Sequence, residues 1–246
     1  MSLTVPTLEV LDLTVAYGGN TALRVPRLSV SRGELVGVVG ANGAGKSTLV
    51  NAVLNWSRGA PRVSGQVRLA GRDVSGLPTH RRVREGLLLI PEGKLVFGTM
   101  TVEENLSSIA DEDFGTDRRA YSIADIYDLF PRLAERRTHL GSQLSGGERQ
   151  MLGIARALRL GPKALLLDEP SIGLAPRLVS TVLQTVRRLT DDGLAVLLVE
   201  QNVRAAIEVV DRLVLLERGR ILAEGPAAEM RDDPRIAEAY LGAHAG

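Results

Sequence analysis

Gly40-Ala41-Asn42-Gly43-Ala44-Gly45-Lys46-Ser47 follows the apolar run Leu35 to Val39 and precedes the helix-like stretch Thr48 to Leu54. Strand, glycine-rich turn and helix, in that order, form the context of a phosphate-binding loop. Glycines let backbone amides turn inward around phosphate oxygens with no side chain between, and amides at a helix start add a favourable field. On this reading Gly40, Asn42, Gly43, Ala44, Gly45 and Thr48 shape the loop and its phosphate contacts, Lys46 neutralises phosphate oxygens, and Ser47 offers its hydroxyl to Mg²⁺. A plain glycine-rich turn is the competing account. It leaves Lys46 unexplained in a chain whose only other lysines are Lys94 and Lys163.

Further apolar runs recur outward from the loop, at Leu87 to Ile90, Ala164 to Leu167, Ala195 to Val199 and Leu213 to Leu216. Short continuous runs suit strands buried on both faces, and hence a mostly parallel sheet wrapped by helices. Leu8 to Val15 and Leu23 to Val30 alternate instead, as strands with one solvated face do, so an antiparallel β layer is expected before the parallel core. Between Thr101 and Gly141 strand patterning gives way to helical pieces interrupted by the polar stretch Asp111 to Arg119. The expected fold is α/β, with a core over 1–92 and 160–246 and an inserted helical subdomain over 93–159. Two short helical patterns follow Pro226, the second after Pro234.

Leu165-Leu166-Leu167-Asp168-Glu169-Pro170 ends one of these runs on two carboxylates. The C-terminal edge of a parallel sheet faces the crevice where α/β ligands bind. Asp168 is the hard oxygen ligand that Mg²⁺ prefers, and Glu169 is placed to orient or deprotonate an attacking water. A helix-start or turn cluster of carboxylates is the alternative; the phosphate loop elsewhere in the chain favours the site.

Composition narrows the classes. The 246 residues suit one large α/β domain or a domain with an insertion, and 44% hydrophobic residues provide a core. With 30 basic and 29 acidic residues, and 3% aromatics, no electrostatic or stacking footprint for nucleic acid is present. The absence of cysteine removes thiol chemistry and Cys-based metal sites. No apolar run approaches the roughly 18 residues of a bilayer span, and the Met-Ser-Leu-Thr start lacks a signal-peptide pattern, so the expected place is cytoplasmic, with any membrane role peripheral.

Leu144-Ser145-Gly146-Gly147-Glu148-Arg149-Gln150 precedes the helical pattern Met151 to Leu160. Ser145 with Glu148 makes a capping box, which leaves the paired glycines unexplained; two glycines at a helix start suggest close approach of another group, a phosphate being a natural candidate. This stretch resembles the LSGGQ or LSGGE signature of ABC-type ATPases, and the resemblance covers nearly the whole chain. It implies an ATPase with ATP and Mg²⁺ as cofactors, working as a head-to-tail dimer. Ser145, Gly146, Gly147 and Glu148 of one protomer then cap the ATP held by the other. Tyr17, before Gly18, stands where the family stacks an aromatic on adenine, although a tyrosine at a strand end could equally be packing. Gly173-Leu174-Ala175-Pro176 occupies the place of the family's D-loop without its usual Asp.

Two further positions depart from the common pattern. Ile90-Pro91-Glu92-Gly93 has Glu92 where most members carry a glutamine; it can still offer an oxygen to Mg²⁺, at the expense of extra negative charge near phosphate. Glu200-Gln201-Asn202 has Gln201 in place of the switch histidine; its amide can donate to a γ-phosphate but does not titrate. These departures, together with Phe97, Thr101-Val102-Glu103-Glu104-Asn105-Leu106 and Tyr240-Leu241-Gly242, resemble the LivF-type ATP-binding subunits of branched-chain amino-acid importers. The resemblance implies a peripheral subunit on the cytoplasmic face of the cell membrane. Its partners would be a second copy or a related ATPase subunit, integral-membrane permeases that place a short helix near Glu92, and indirectly a substrate-binding protein; nucleic acid is not among them. A soluble non-transport ABC ATPase, a urea or amide importer, a lipopolysaccharide exporter and a non-hydrolysing regulator are the alternatives. Asn55-Trp56, where relatives usually carry Gly-Leu, has no account from sequence.

Overall fold

The structure, a computed structural model, describes residues 5–93, 96–109 and 118–236. Its strands are β1 (Leu8–Tyr17), β2 (Asn20–Val30), β3 (Leu35–Val39), β4 (Arg62–Leu69), β5 (Arg72–Asp73), β6 (Leu87–Ile90), β7 (Ala164–Asp168), β8 (Ala195–Glu200), β9 (Arg212–Glu217) and β10 (Arg220–Pro226). The helices are α1 (Lys46–Leu54), α2 (Thr79–Glu85), α3 (Val102–Ser107), α4 (Ile123–Leu129), α5 (Pro131–Glu135), α6 (Gly146–Arg159), α7 (Pro176–Asp191), α8 (Val203–Ile207) and α9 (Ala227–Met230). The strands join in one sheet, ordered β5-β4-β1-β2-β10-β9-β3-β8-β7-β6. From β9 to β6 the pairs are parallel; β1, β2, β4 and β5 pair antiparallel, and β10 turns back antiparallel on β9.

Every residue of β3, β7 and β8 is buried, and the two-residue period divides their apolar side chains between the faces. Leu165, Leu167, Val196 and Leu198 face the side covered by α6 and α7. Leu166, Leu197 and Val199 face the side where Leu49, Val50 and Val53 of α1 pack. The chain is therefore of the α/β class expected. Helices α3 to α6 share the first of these cores with the sheet, through residues such as Leu106, Ile126, Leu133 and Leu152.

Several details differ from the sequence reading. In β1 the buried phase shifts from Leu8 and Val10 to Leu13 and Val15, because a bulge at Asp12, at φ 49°, inserts one residue into the pairing with β4. Gly65 lies opposite, where a Cβ would stand 2.6 Å from the Asp12 carbonyl oxygen. Strands β4, β5 and β10 had no sequence expectation: Arg62 to Gln66 of β4 are exposed, and β10 mixes polar and apolar residues. Helix α6 begins at Gly146, directly after the Ser145 cap that the Ser145/Glu148 capping box implied, and its first buried side chain is Met151, where the apolar periodicity starts. After Pro226 the described residues hold α9 and, from Pro234 to Ile236, the first residues of a second helical segment, as the sequence pattern expects. Lys94, most of Asp111 to Arg119, Tyr240-Leu241-Gly242 and His244 lie outside them.

Asn55 and Trp56 acquire a local explanation. Asn55 ends α1 in the left-handed region at φ 62°, donates from Nδ2 to the Leu77 carbonyl, and accepts from the Thr79 hydroxyl through its own carbonyl. Asparagine tolerates that conformation better than most side chains, so it serves where glycine commonly does. Trp56 stays 44% exposed, its ring facing the Arg58 guanidinium at 5.9 Å.

Candidate functional site

The loop between β3 and α1 takes its shape from its glycines. A Cβ on Gly40 would lie 2.2 Å from the Leu216 carbonyl oxygen, and Gly45 enters α1 at φ 105°. No side chain caps the first turn of α1, and no acidic residue stands there, so its free amides are directed at the loop interior. The turn after β9 fixes the loop from behind, where the Gly219 amide donates to the Ala44 carbonyl at 2.8 Å. Gly43 lies at φ 79°, Asn42 is exposed at the tip, and Thr48 is half-buried.

Lys46 is 4% exposed, and its ammonium meets three acceptors: the Gly40 carbonyl at 2.9 Å, the Ala41 carbonyl at 3.2 Å and Glu169 Oε1 at 3.2 Å. An ammonium has three donors, so Lys46 is fully satisfied within the chain. Ser47 donates its hydroxyl to Asp168 Oδ1 at 3.1 Å. Strand β7 pairs beside β8, and α1 packs against both, which brings residues more than a hundred positions apart into contact.

Asp168 is buried, and burial pushes its carboxyl up to about 6. The Ser47 bond opposes this shift, the negative charges of Glu169 and Glu92 add to it, and Lys46 counteracts it. Glu92 is exposed beyond the end of β6, and its charge places it on the same edge as Asp168. Extra negative charge around a buried carboxylate is what a divalent cation would relieve. The donor set fits Mg²⁺: Ser47, Asp168 and Glu92 are all hard oxygen donors. Among the described residues no group of three acidic or histidine side chains could hold a metal alone. Such an ion would complete its shell with water and phosphate oxygens.

Glu169 departs from the strand geometry before it. Its amide extends the ladder by donating to the Val199 carbonyl at 2.9 Å, while its own φ is 48°. For a residue with a Cβ that conformation costs about 1–2 kcal/mol, and it turns the carboxylate toward Lys46. Two residues on, Ser171 donates from its amide and its hydroxyl to the Glu200 carboxylate, at 3.0 and 2.8 Å. Glu200 is 1% exposed; burial raises its carboxyl, and the Ser171 bonds oppose this. Gln201 follows, exposed at the end of β8. Gly40, Ala41, Glu169, Glu200 and Gln201 line one cavity of about 780 Å³ that runs on between α7 and α8.

The signature segment is arranged differently. Ser145 caps α6 by accepting from the Glu148 amide at 3.3 Å, and Glu148 accepts from the Ser145 amide at 2.9 Å. Glu148 also faces Arg132 and Arg136, at 3.5 and 3.8 Å. A Cβ on Gly146 would stand 2.9 Å from the Leu174 side chain, and one on Gly147 3.3 Å from that of Leu178. Leucines of the same chain therefore approach both glycines closely on one side. Tyr17 is half-buried against the core, near Gly59.

The structure thus brings Lys46, Ser47, Asp168 and Glu169 together, with Glu92 and Gln201 on the same edge. Sequence reasoning quoted Glu200 only within a longer motif and assigned it no role. A carboxylate at the end of an otherwise apolar strand was the one signal available.

The family described as "ABC transporter" matches residues 23–172. The branched-chain amino acid transport ATP-binding protein BraG of Pseudomonas aeruginosa is 42% identical over 228 residues, 92% of this chain and 95% of its own. The lipopolysaccharide export ATP-binding protein LptB of Escherichia coli K12 is 34% identical over 96% of this chain and 97% of its own. Among solved structures, an ATP-binding cassette of an ABC transporter in its ADP conformation superposes with a TM-score of 0.82 at 25% identity, covering 97% of this chain and 100% of that one. A nucleotide-free cassette gives a TM-score of 0.80 at 24% identity, with coverage of 96% and 99%. The chain belongs to the ABC transporter ATP-binding family and is an ATPase.

Proposed function

We propose that this ATPase drives a membrane importer for branched-chain or other hydrophobic amino acids, converting ATP-driven closure of a dimer into movement of permease subunits. The Lys46–Glu169 ion pair carries the hydrolytic part of this reading. Lys46 exchanges its carbonyl and Glu169 acceptors for phosphate oxygens, so Glu169 is released as nucleotide arrives. Glu169 then accepts the proton of the water that attacks the γ-phosphorus, while the bond to the bridging oxygen breaks and ADP leaves. Ser47, Asp168 and Glu92 would hold Mg²⁺, which supplies charge neutralisation. Asn42 and the amides of Gly43, Ala44, Gly45 and Thr48 orient the phosphates; Gln201 donates to the γ-phosphate, and Tyr17 stacks on adenine. Ser145, Gly146, Gly147 and Glu148 complete the site of a second copy or of a related ATPase subunit.

One observation supports a membrane partner. Phe97, Met100 and Leu140 are exposed side by side, joined by the Thr101–Leu140 bridge and by the bond from the Gly141 amide to the Met100 carbonyl. Such a patch suits a short permease helix. Among the described residues no helix is long and apolar enough to cross a membrane. An import role rests on the higher identity to BraG together with Gln201 at the switch position. Identity to LptB favours lipopolysaccharide export as the second reading.

Uptake of labelled leucine, isoleucine and valine by the host, with and without this chain, tests the proposal. Loss of uptake, restored by the native chain and not by Lys46→Ala, is the expected result. Unchanged uptake together with accumulation of lipopolysaccharide in the inner membrane would favour export.

A further inference from the structure

The end of β8 holds a buried carboxylate that the hydrolytic scheme does not use. Glu200 Oε1 accepts the Ser171 amide and Oε2 the Ser171 hydroxyl, so one side chain takes both donors of a residue 29 positions earlier. On the other side of the same turn, the Glu169 amide donates to the Val199 carbonyl. Glu169 and Pro170 are thus pinned at both ends to consecutive residues of β8. Between the pins Glu169 holds the left-handed conformation that directs its carboxylate to Lys46. Relaxation of that residue toward ordinary backbone angles would swing the carboxylate away from Lys46. Glu200 also immediately precedes Gln201, so the clamp sets the spacing between the two side chains that face the cavity from β7 and β8.

We propose that Glu200 is a positioning residue for hydrolysis: through Ser171 it locks the Glu169–Pro170 turn in register with Gln201. The inference rests on the reading of Glu169 as the group that activates water. The clamp works by geometry rather than by charge. A serine hydroxyl both donates and accepts, so a glutamine at this position keeps two bonds, its carbonyl accepting the Ser171 amide and its amide donating to the hydroxyl. Alanine keeps neither.

The test compares steady-state ATP turnover, KM for ATP and melting temperature for full-length Glu200→Ala, Glu200→Gln, Ser171→Ala and Glu169→Gln. A misplacement of about an ångström at a reacting group is enough to slow chemistry by one to two orders of magnitude. Glu200→Ala should therefore lose at least about tenfold in kcat with KM within about twofold. Ser171→Ala, which keeps the amide bond, should lose less, and Glu200→Gln should remain within about twofold of the native rate. Native turnover in folded Glu200→Ala would overturn the proposal, as would a loss confined to KM, or a Glu200→Gln as impaired as Glu200→Ala. If Glu200→Ala does not fold, Ser171→Ala decides: a native kcat overturns the clamp, and a lowered kcat at unchanged KM supports it. Glu169→Gln separates the two layers. Its retention of turnover would remove the hydrolytic reading itself, whereas its inactivity beside fully active Glu200 and Ser171 variants would remove the clamp alone.

Discussion

The edge around Lys46 and the start of α6 are both glycine-rich helix starts, yet they are finished in different ways. At α1 the chain supplies no cap, and Lys46 and Ser47 of its first turn meet Glu169 and Asp168 at the end of β7. At α6 a serine–glutamate box closes the helix start, and the glycines are filled from behind by Leu174 and Leu178. The first leaves its helix amides uncapped; the second satisfies its own helix start and keeps Ser145 exposed. Only the first region sets a lysine beside two carboxylates at the sheet edge, Lys46 with Glu169 and Asp168.

This contrast can be broken most directly at Lys46. Lys46→Ala should lower ATP turnover by about a thousandfold or more and weaken nucleotide binding, since removing it leaves the half-buried Glu169 without its ion-pair partner and the phosphates without their cation. Phosphate release and nucleotide titration measure both, and native turnover would end the loop assignment. At the other region the two effects should separate. Ser145→Arg places a bulky cation on the α6 surface and should reduce turnover by about a hundredfold while leaving nucleotide affinity within about twofold, because the phosphates are held elsewhere. Equal losses in both quantities would show that the two regions act as one.

Asp168 sharpens the electrostatic side. Its carboxyl holds a proton up to about 6 in the folded chain, above the ordinary value near 3.8, so the folded state binds that proton more tightly than the unfolded one. The stabilisation is complete below about 4 and is lost as pH rises through about 6. Thermal unfolding of Asp168→Asn, followed from pH 4 to 7, should therefore show a smaller fall in melting temperature with rising pH than the native chain. The smallest effect belongs to the cap: Ser145→Ala should cost about 1 kcal/mol, or a few degrees in melting temperature, without altering nucleotide affinity.

The same contrast explains what could be read in advance. The loop and the acidic strand end were legible because their chemistry dictates residue types at fixed spacing, and because β3, β7 and β8 are apolar along their length. Tertiary geometry hid the rest. Strand β4 has an exposed, polar first half and acquires its identity only by pairing with β1. At the start of α6 the Ser145–Glu148 cap was legible, whereas the two leucines beyond residue 173 that pack against its glycines were not. Glu200 and Ser171 meet only because β7 and β8 are neighbours in the sheet, an adjacency that no local pattern encodes.

The central claim is that two copies share the work, the loop of one facing the α6 start of the other. The molar mass of Glu169→Gln in solution, measured by light scattering with and without Mg-ATP, tests it directly. The account predicts a doubling on addition of nucleotide and a return to the single-chain mass when nucleotide is removed. A mass that stays at one chain while nucleotide is demonstrably bound would contradict it.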